Sequence, residues 1–133
     1  MCGSAVESIR QRLRQYPDLR IEETPDSVTV FPASEDGFTV SIHEHDEENY
    51  TVSFSGWHEE FDSAAETVSC FFFGLSDQCR LRVLSRGSFD YRWFVQCRRD
   101  AVWQDDSETG LLLFPFWLRR RERYLQNHVT QVI

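Results

Sequence analysis

Apolar positions along the chain follow two periods. In the stretch 57–75 they fall at Phe61, Ala64, Ala65, Val68, Phe71, Phe72 and Leu75, the spacing of one helix face. Ser63-Ala64-Ala65-Glu66 fits the capping box, in which hydroxyl and carboxylate satisfy each other's unpaired backbone N–H groups, and Asp62 is a competing N-cap. Gly74 followed by Leu75 fits a left-handed helix end with its hydrophobic partner. The stretch predicts a capped central helix whose last turn, Cys70-Phe71-Phe72-Phe73, is apolar on every side. Such an end is buried all round, by its own domain or by a partner.

Residues 4–16 predict a first helix, capped by Ser4, with Ala5, Val6, Ile9, Leu13 and Tyr16 on one face and Pro17 as its stop. Elsewhere the period is two. Val28 and Val30, then Phe38, Val40 and Ile42, then Tyr50, Val52 and Phe54 give a three-stranded meander with Ile42 opposite Phe54 and Asn49 at a left-handed loop site. Cys79–Leu84 and Phe89–Cys97 form a second hairpin around Ser85-Arg86-Gly87. It pairs Val83 with Phe89, Leu81 with Tyr91, Cys79 with Trp93 and Arg82 with Asp90. A short strand over 101–105 follows. The run Leu111–Trp117, LLLFPFW, begins as a buried strand, and Pro115 opens a closing helix over 116–127. The expected fold is a single α+β domain over 1–133: an antiparallel β-sheet of about six strands packed on helices, in the order α-βββ-α-βββ(β)-α. In order and size, though in no motif residue, this resembles the bacterial secretion-chaperone fold, which acts as a dimer.

Composition narrows the class. No apolar run approaches the ~20 residues of a membrane span, and the charged N-terminal stretch lacks a signal-peptide core. A cytoplasmic protein with no membrane partner is expected. Cys2, Cys70, Cys79 and Cys97 have neither zinc nor C-x-x-C spacing, and the last three read as small core residues. All 14 basic residues are Arg, as a GC-rich bacterial coding sequence would produce. Charge is segregated. Residues 21–79 hold 14 acids and no Arg, whereas residues 80–133 hold 10 Arg and 6 acids. At a net charge of −8 the chain is not a general nucleic-acid binder. An acidic face and a basic face are expected instead, able to meet each other or a second copy.

No motif assigns a catalytic residue, a metal or a cofactor. His43 and His45 share a strand face but face Ser53 and Thr51 rather than a third ligand, and His58 would have to fold back to complete a site. Glu59, Glu60 and Asp62 favour a helix N-terminus. Neither G-x-S-x-G nor a cluster of glycines is present. The basic run Arg119, Arg120, Arg121 and Arg123 sits in the first turns of the expected closing helix, where the dipole disfavours cations, so it calls for an anionic counterpart. The first expectation is a non-enzymatic interaction protein of chaperone or adaptor type, a homo-oligomer or bound to a protein partner. It would make contact through Trp57, Cys70, Phe71, Phe72, Phe73 and the Arg run. The second is a small-molecule-binding or enzymatic domain with an aromatic pocket of Trp57, Tyr91, Trp93, Trp103 and Trp117 and the polar groups His43, His45 or His58.

Overall fold

The structure is a computed structural model that describes residues 5–127. Ser4 and Cys2, and the tail beyond Asn127, lie outside the described residues. The chain runs α1 (Ala5–Leu13), β1 (Ile21–Thr24), β2 (Ser27–Val30), β3 (Val40–Asp46), β4 (Asn49–Phe54), β5 (Trp57–Phe61), α2 (Ala64–Leu75), β6 (Cys79–Arg86), β7 (Phe89–Arg99), β8 (Val102–Gly110) and β9 (Arg120–Leu125). The α+β class is as expected, but the single six-stranded sheet is not. The described strands form two antiparallel sheets, ordered β1-β2-β3-β4-β5 and β8-β7-β6-β9.

Alternation aims Val28, Val30, Val40, Ile42, Tyr50, Val52 and Phe54 of the first sheet into the core. There they meet Val6, Ile9 and Leu13 of α1 and Phe71, Phe72 and Leu75 of α2. From the second sheet, Cys79, Leu81, Val83 and Val95 join the same core. Helix α2 begins where the capping reading put it: Ser63 Oγ accepts from Glu66 N at 3.3 Å. Its end differs. Gly74 stays inside the helix, and Ser76 terminates it in extended geometry, its N–H donating to Phe73 O. Gly74 is there because a Cβ at that position would overlap the Phe54 ring.

Four further expectations are corrected. Trp57–Phe61 is a strand rather than the approach to a helix, entered through a turn in which Ser55 has φ 53°. Trp57 and Phe61 are four residues apart, a spacing that both periods share, and pairing with β4 decides between them. In the β3–β4 hairpin Ile42 pairs with Val52, two residues from the expected register, with a bulge between Glu44 and Asp46. In the β6–β7 hairpin Val83 pairs with Trp93 and Cys79 with Cys97, so Arg82 lies opposite Phe94 and takes Glu122 as its ion partner at 2.7 Å. Both slips preserve parity, which is all that apolar alternation specifies. Finally, the closing helix is absent: Leu111–Trp117 is an irregular exposed segment, and Arg120–Leu125 is a strand on β6.

The outer face of the second sheet accounts for several arginines. Arg80 lies over Trp103 at 4.5 Å and Tyr124 at 4.1 Å, and Arg82 over Phe94 at 4.9 Å. These stacks use the planar guanidinium, which Lys lacks.

The end of β9 ties the layers together. Buried Asn127 accepts from Phe38 N at 3.2 Å and donates through Nδ2 to Phe38 O and Gly74 O, each at 3.0 Å. Beside it, Gln126 N donates to Asp36 O at 2.6 Å. Asn127→Ala would strand an N–H and two carbonyls, and is expected to lower the unfolding free energy by roughly 2–4 kcal/mol in a denaturant titration. Gly74→Ala is expected to cost about 1–3 kcal/mol through overpacking against Phe54. Its sign is diagnostic, because Gly→Ala inside an unobstructed helix stabilises.

Candidate functional site

Two surface features near the second sheet have functional character. The first is the segment from Leu111 to Leu118. Both its ends are pinned: Leu111 N donates to Tyr91 O at 2.8 Å, and Gly87 N donates to Arg119 O at 2.8 Å. Gly87, at φ 61°, also lets Leu118 pack over the β6–β7 turn. Phe114 is the inward anchor, its ring stacked on Tyr91 at 4.2 Å between centroids. Between these fixed points the side chains face outward. Leu112 is 97% exposed, Leu113 88%, Phe116 69% and Trp117 72%. Isolated exposed apolar residues are ordinary, but a contiguous group of this kind makes the loop a candidate contact surface.

Arginines form the base of this loop. Arg123 is neutralised by Asp90 through two hydrogen bonds of 2.7 and 2.8 Å. Arg119, Arg120 and Arg121 form no ion pair among the described residues. Arg120 stands directly opposite Arg86 in the β6–β9 ladder, a like-charge pairing that weakens a sheet.

The second feature is a cavity of about 390 Å³ between α2, β5 and the second sheet. Phe54, Trp57, Phe61, Phe73 and Val95 make its apolar wall, and Glu59, Glu66 and Asp106 stand at exposed positions on its rim. Trp57 Nε1 donates to Ser107 Oγ at 2.8 Å, which fixes the indole and links the two sheets. The Cys70 thiol also lines the cavity. Burial, reinforced by Glu59 and Asp106, pushes its pKa up to about 12. Cys79 is likewise held well above the usual thiol range, first by burial and then by Cys70, Cys97 and Asp106. Both thiols are therefore protonated at neutral pH and are not nucleophiles.

The residues singled out from the sequence are distributed as follows. Phe71 and Phe72 are buried within the chain, whereas Cys70, Phe73 and Trp57 border the cavity. The other candidate pocket residues do not converge. Tyr91 stacks on Phe114, Trp93 packs against Gly56, Trp103 lies beneath Arg80 and Arg98, and Trp117 is on the loop. His43 and His45 have ring centroids 4.6 Å apart, and His45 Nε2 lies 2.8 Å from Thr51 Oγ1. His58 sits on β5 opposite Ser53. None of the three histidines borders the cavity. Among the described residues no group of three or more His, Cys, Asp and Glu side chains is placed to hold a metal, and no helix is long and apolar enough to cross a membrane.

The exposed loop was visible in the sequence as LLLFPFW but read as buried. Pro115, which central strands exclude, was the available sign that the run leaves the sheet. Comparison with known protein families, curated proteins and solved structures finds no match.

The thiol environments predict an alkylation pattern. Iodoacetamide at pH 8 is expected to leave Cys70 and Cys79 unmodified in the folded protein and to label both after denaturation, as read by peptide mass spectrometry. Rapid native labelling of Cys70 would contradict the protonated, shielded thiol described above.

Proposed function

We propose that this chain is a non-enzymatic protein-interaction module of chaperone or adaptor type that docks a protein partner through the Leu111–Leu118 loop. The observation that supports this reading is the outward presentation of Leu112, Leu113, Phe116 and Trp117 by a segment fixed at both ends. An unpinned segment of this composition would collapse onto the nearest apolar surface. The Arg119–Arg121 base gives the contact a sign preference: it favours an acidic partner surface and speeds encounter with one. The contact proposed thereby moves from the end of α2, where Phe71 and Phe72 are already covered, to the loop between β8 and β9.

The cavity favours a second reading, a small-molecule site. Its size falls within the ~300–1,000 Å³ common for such sites, and its wall is aromatic. Its polar groups, however, are rim carboxylates rather than the histidines of the expected pocket.

The docking reading is tested in an extract of the source cells. The wild-type chain is expected to elute above its own mass. The variant Leu112→Ser/Leu113→Ser/Phe116→Ser/Trp117→Ser should elute at the mass of the chain alone, with an unchanged circular dichroism spectrum. Identical elution of the two would overturn the reading.

A further inference from the structure

The loop and the cavity are complementary in shape and charge. The loop is convex and apolar, with Arg119, Arg120 and Arg121 at its base. The cavity is concave and apolar, with Glu59, Glu66 and Asp106 on its rim. They do not meet within one chain. The loop is pinned at Tyr91 and at the β6–β7 turn, whereas the cavity opens beside Val95 and Cys97. Four to six residues of β7 separate the two, roughly 13–20 Å at the rise of a strand.

We infer that the loop's occupant is the cavity of a second copy of this chain, in a reciprocal two-fold dimer in which each protomer inserts its apolar loop into the other's acid-rimmed cavity. This rests on the docking reading above and names its partner. Three observations favour a second copy. Charge is divided between the halves of the chain, with 14 acids and no Arg over 21–79 and 10 Arg over 80–133, so two copies can offset each other's fields. Arg120 faces the like-charged Arg86 across the β6–β9 ladder, and neither makes an ion pair among the described residues, so the acidic rim of a second copy would relieve the pair. The cavity also has an apolar wall of a size to take a Phe or Trp side chain and an anionic mouth, the same combination, opposite in charge, as the apolar loop and its arginine base. A two-fold axis that satisfies both exchanges at once closes the assembly, whereas a one-way contact runs on into rings or filaments.

The experiment uses purified full-length chain in sedimentation-velocity runs across a dilution series. Wild type is expected to be a dimer that dissociates on dilution and more readily at high salt. The loop variant Phe116→Ser/Trp117→Ser and the cavity variant Ser69→Trp, which places a bulky side chain on the exposed α2 position bordering the mouth, should each raise the dissociation constant about thirtyfold or more, the change carried by a single dominant aromatic contact. Unchanged circular dichroism spectra establish that both variants are folded.

Mixing the two variants is the decisive arm. One intact loop then faces one intact cavity, and a heterodimer is expected where neither variant alone associates under the same conditions. Wild type that is monomeric at every concentration would overturn the inference, whether or not it binds anionic lipid vesicles. So would a dimer indifferent to both variants, or a ladder of larger species. A wild type that is monomeric on its own leaves the cell-extract result open to either outcome, so a failed dimer and a failed docking reading are separable.

Discussion

The fold depends on a single buried amide. Asn127 lies where three pieces of the chain meet: the segment leading into β3, the last turn of α2, and the strand β9 that delivers Asn127 itself. The first two would otherwise leave buried backbone groups, Phe38 N, Phe38 O and Gly74 O, without this partner, and such groups cost far more unpaired than their bonds return when made. Gly37 and Gly74 make room for this meeting point. A Cβ on Gly37 would come within 2.6 Å of the Asn127 carbonyl oxygen, and one on Gly74 would strike Phe54. The consequence is that β9, the last described strand, cannot leave the second sheet without opening the contact between the first sheet and α2.

That constraint reaches the candidate contact surface. The Leu111–Leu118 segment bridges β8 and β9, and both strands are held, β8 by β7 and β9 by β6 and the Asn127 amide. With its ends fixed and Phe114 stacked on Tyr91, the loop has no slack to fold back over the core. Its exposed leucines and aromatics are thus a product of the framework. The same framework opposes Arg120 to Arg86 and leaves Arg119, Arg120 and Arg121 without an ion pair among the described residues, so apolar surface and positive charge appear together at one end of the sheet. Across the molecule, the Trp57–Ser107 hydrogen bond holds the two sheets as the walls of an aromatic cavity with carboxylates at its mouth.

Much of this was legible in the sequence, and the illegible parts have definite causes. The α2 cap at Ser63, the inward parity of the first sheet and the left-handed Gly87 were all readable, because each is a local property of a few residues. Register was not, since moving a hairpin by two or four residues leaves every apolar side chain on the same face. Strand β5 was hidden because Trp57 and Phe61 satisfy helical and strand periods equally. Strand β9 was hidden for a different reason. Its residues, RRERYL, carry almost no apolar pattern, and they are strand because Glu122 pairs with Arg82, Arg123 with Asp90 and Leu125 with Leu81, all distant in sequence. Exposure of the 111–118 run contradicts its composition, and Pro115 was the one local sign against a buried strand. Of the candidate site, Trp57, Cys70 and Phe73 were found for their apolar character, but the cavity they border appears only once two sheets are present.

The loop between β8 and β9 is proposed as a contact surface held open for an occupant. Hydroxyl-radical footprinting read by mass spectrometry tests it most directly, comparing the native assembly isolated from source cells with the same chain purified and highly diluted. Leu112, Leu113, Phe116 and Trp117 are expected to be shielded in the assembly and heavily oxidised on dilution, while buried Phe38 and Phe71 stay protected in both. Equal oxidation of the four loop residues in the two samples would contradict it.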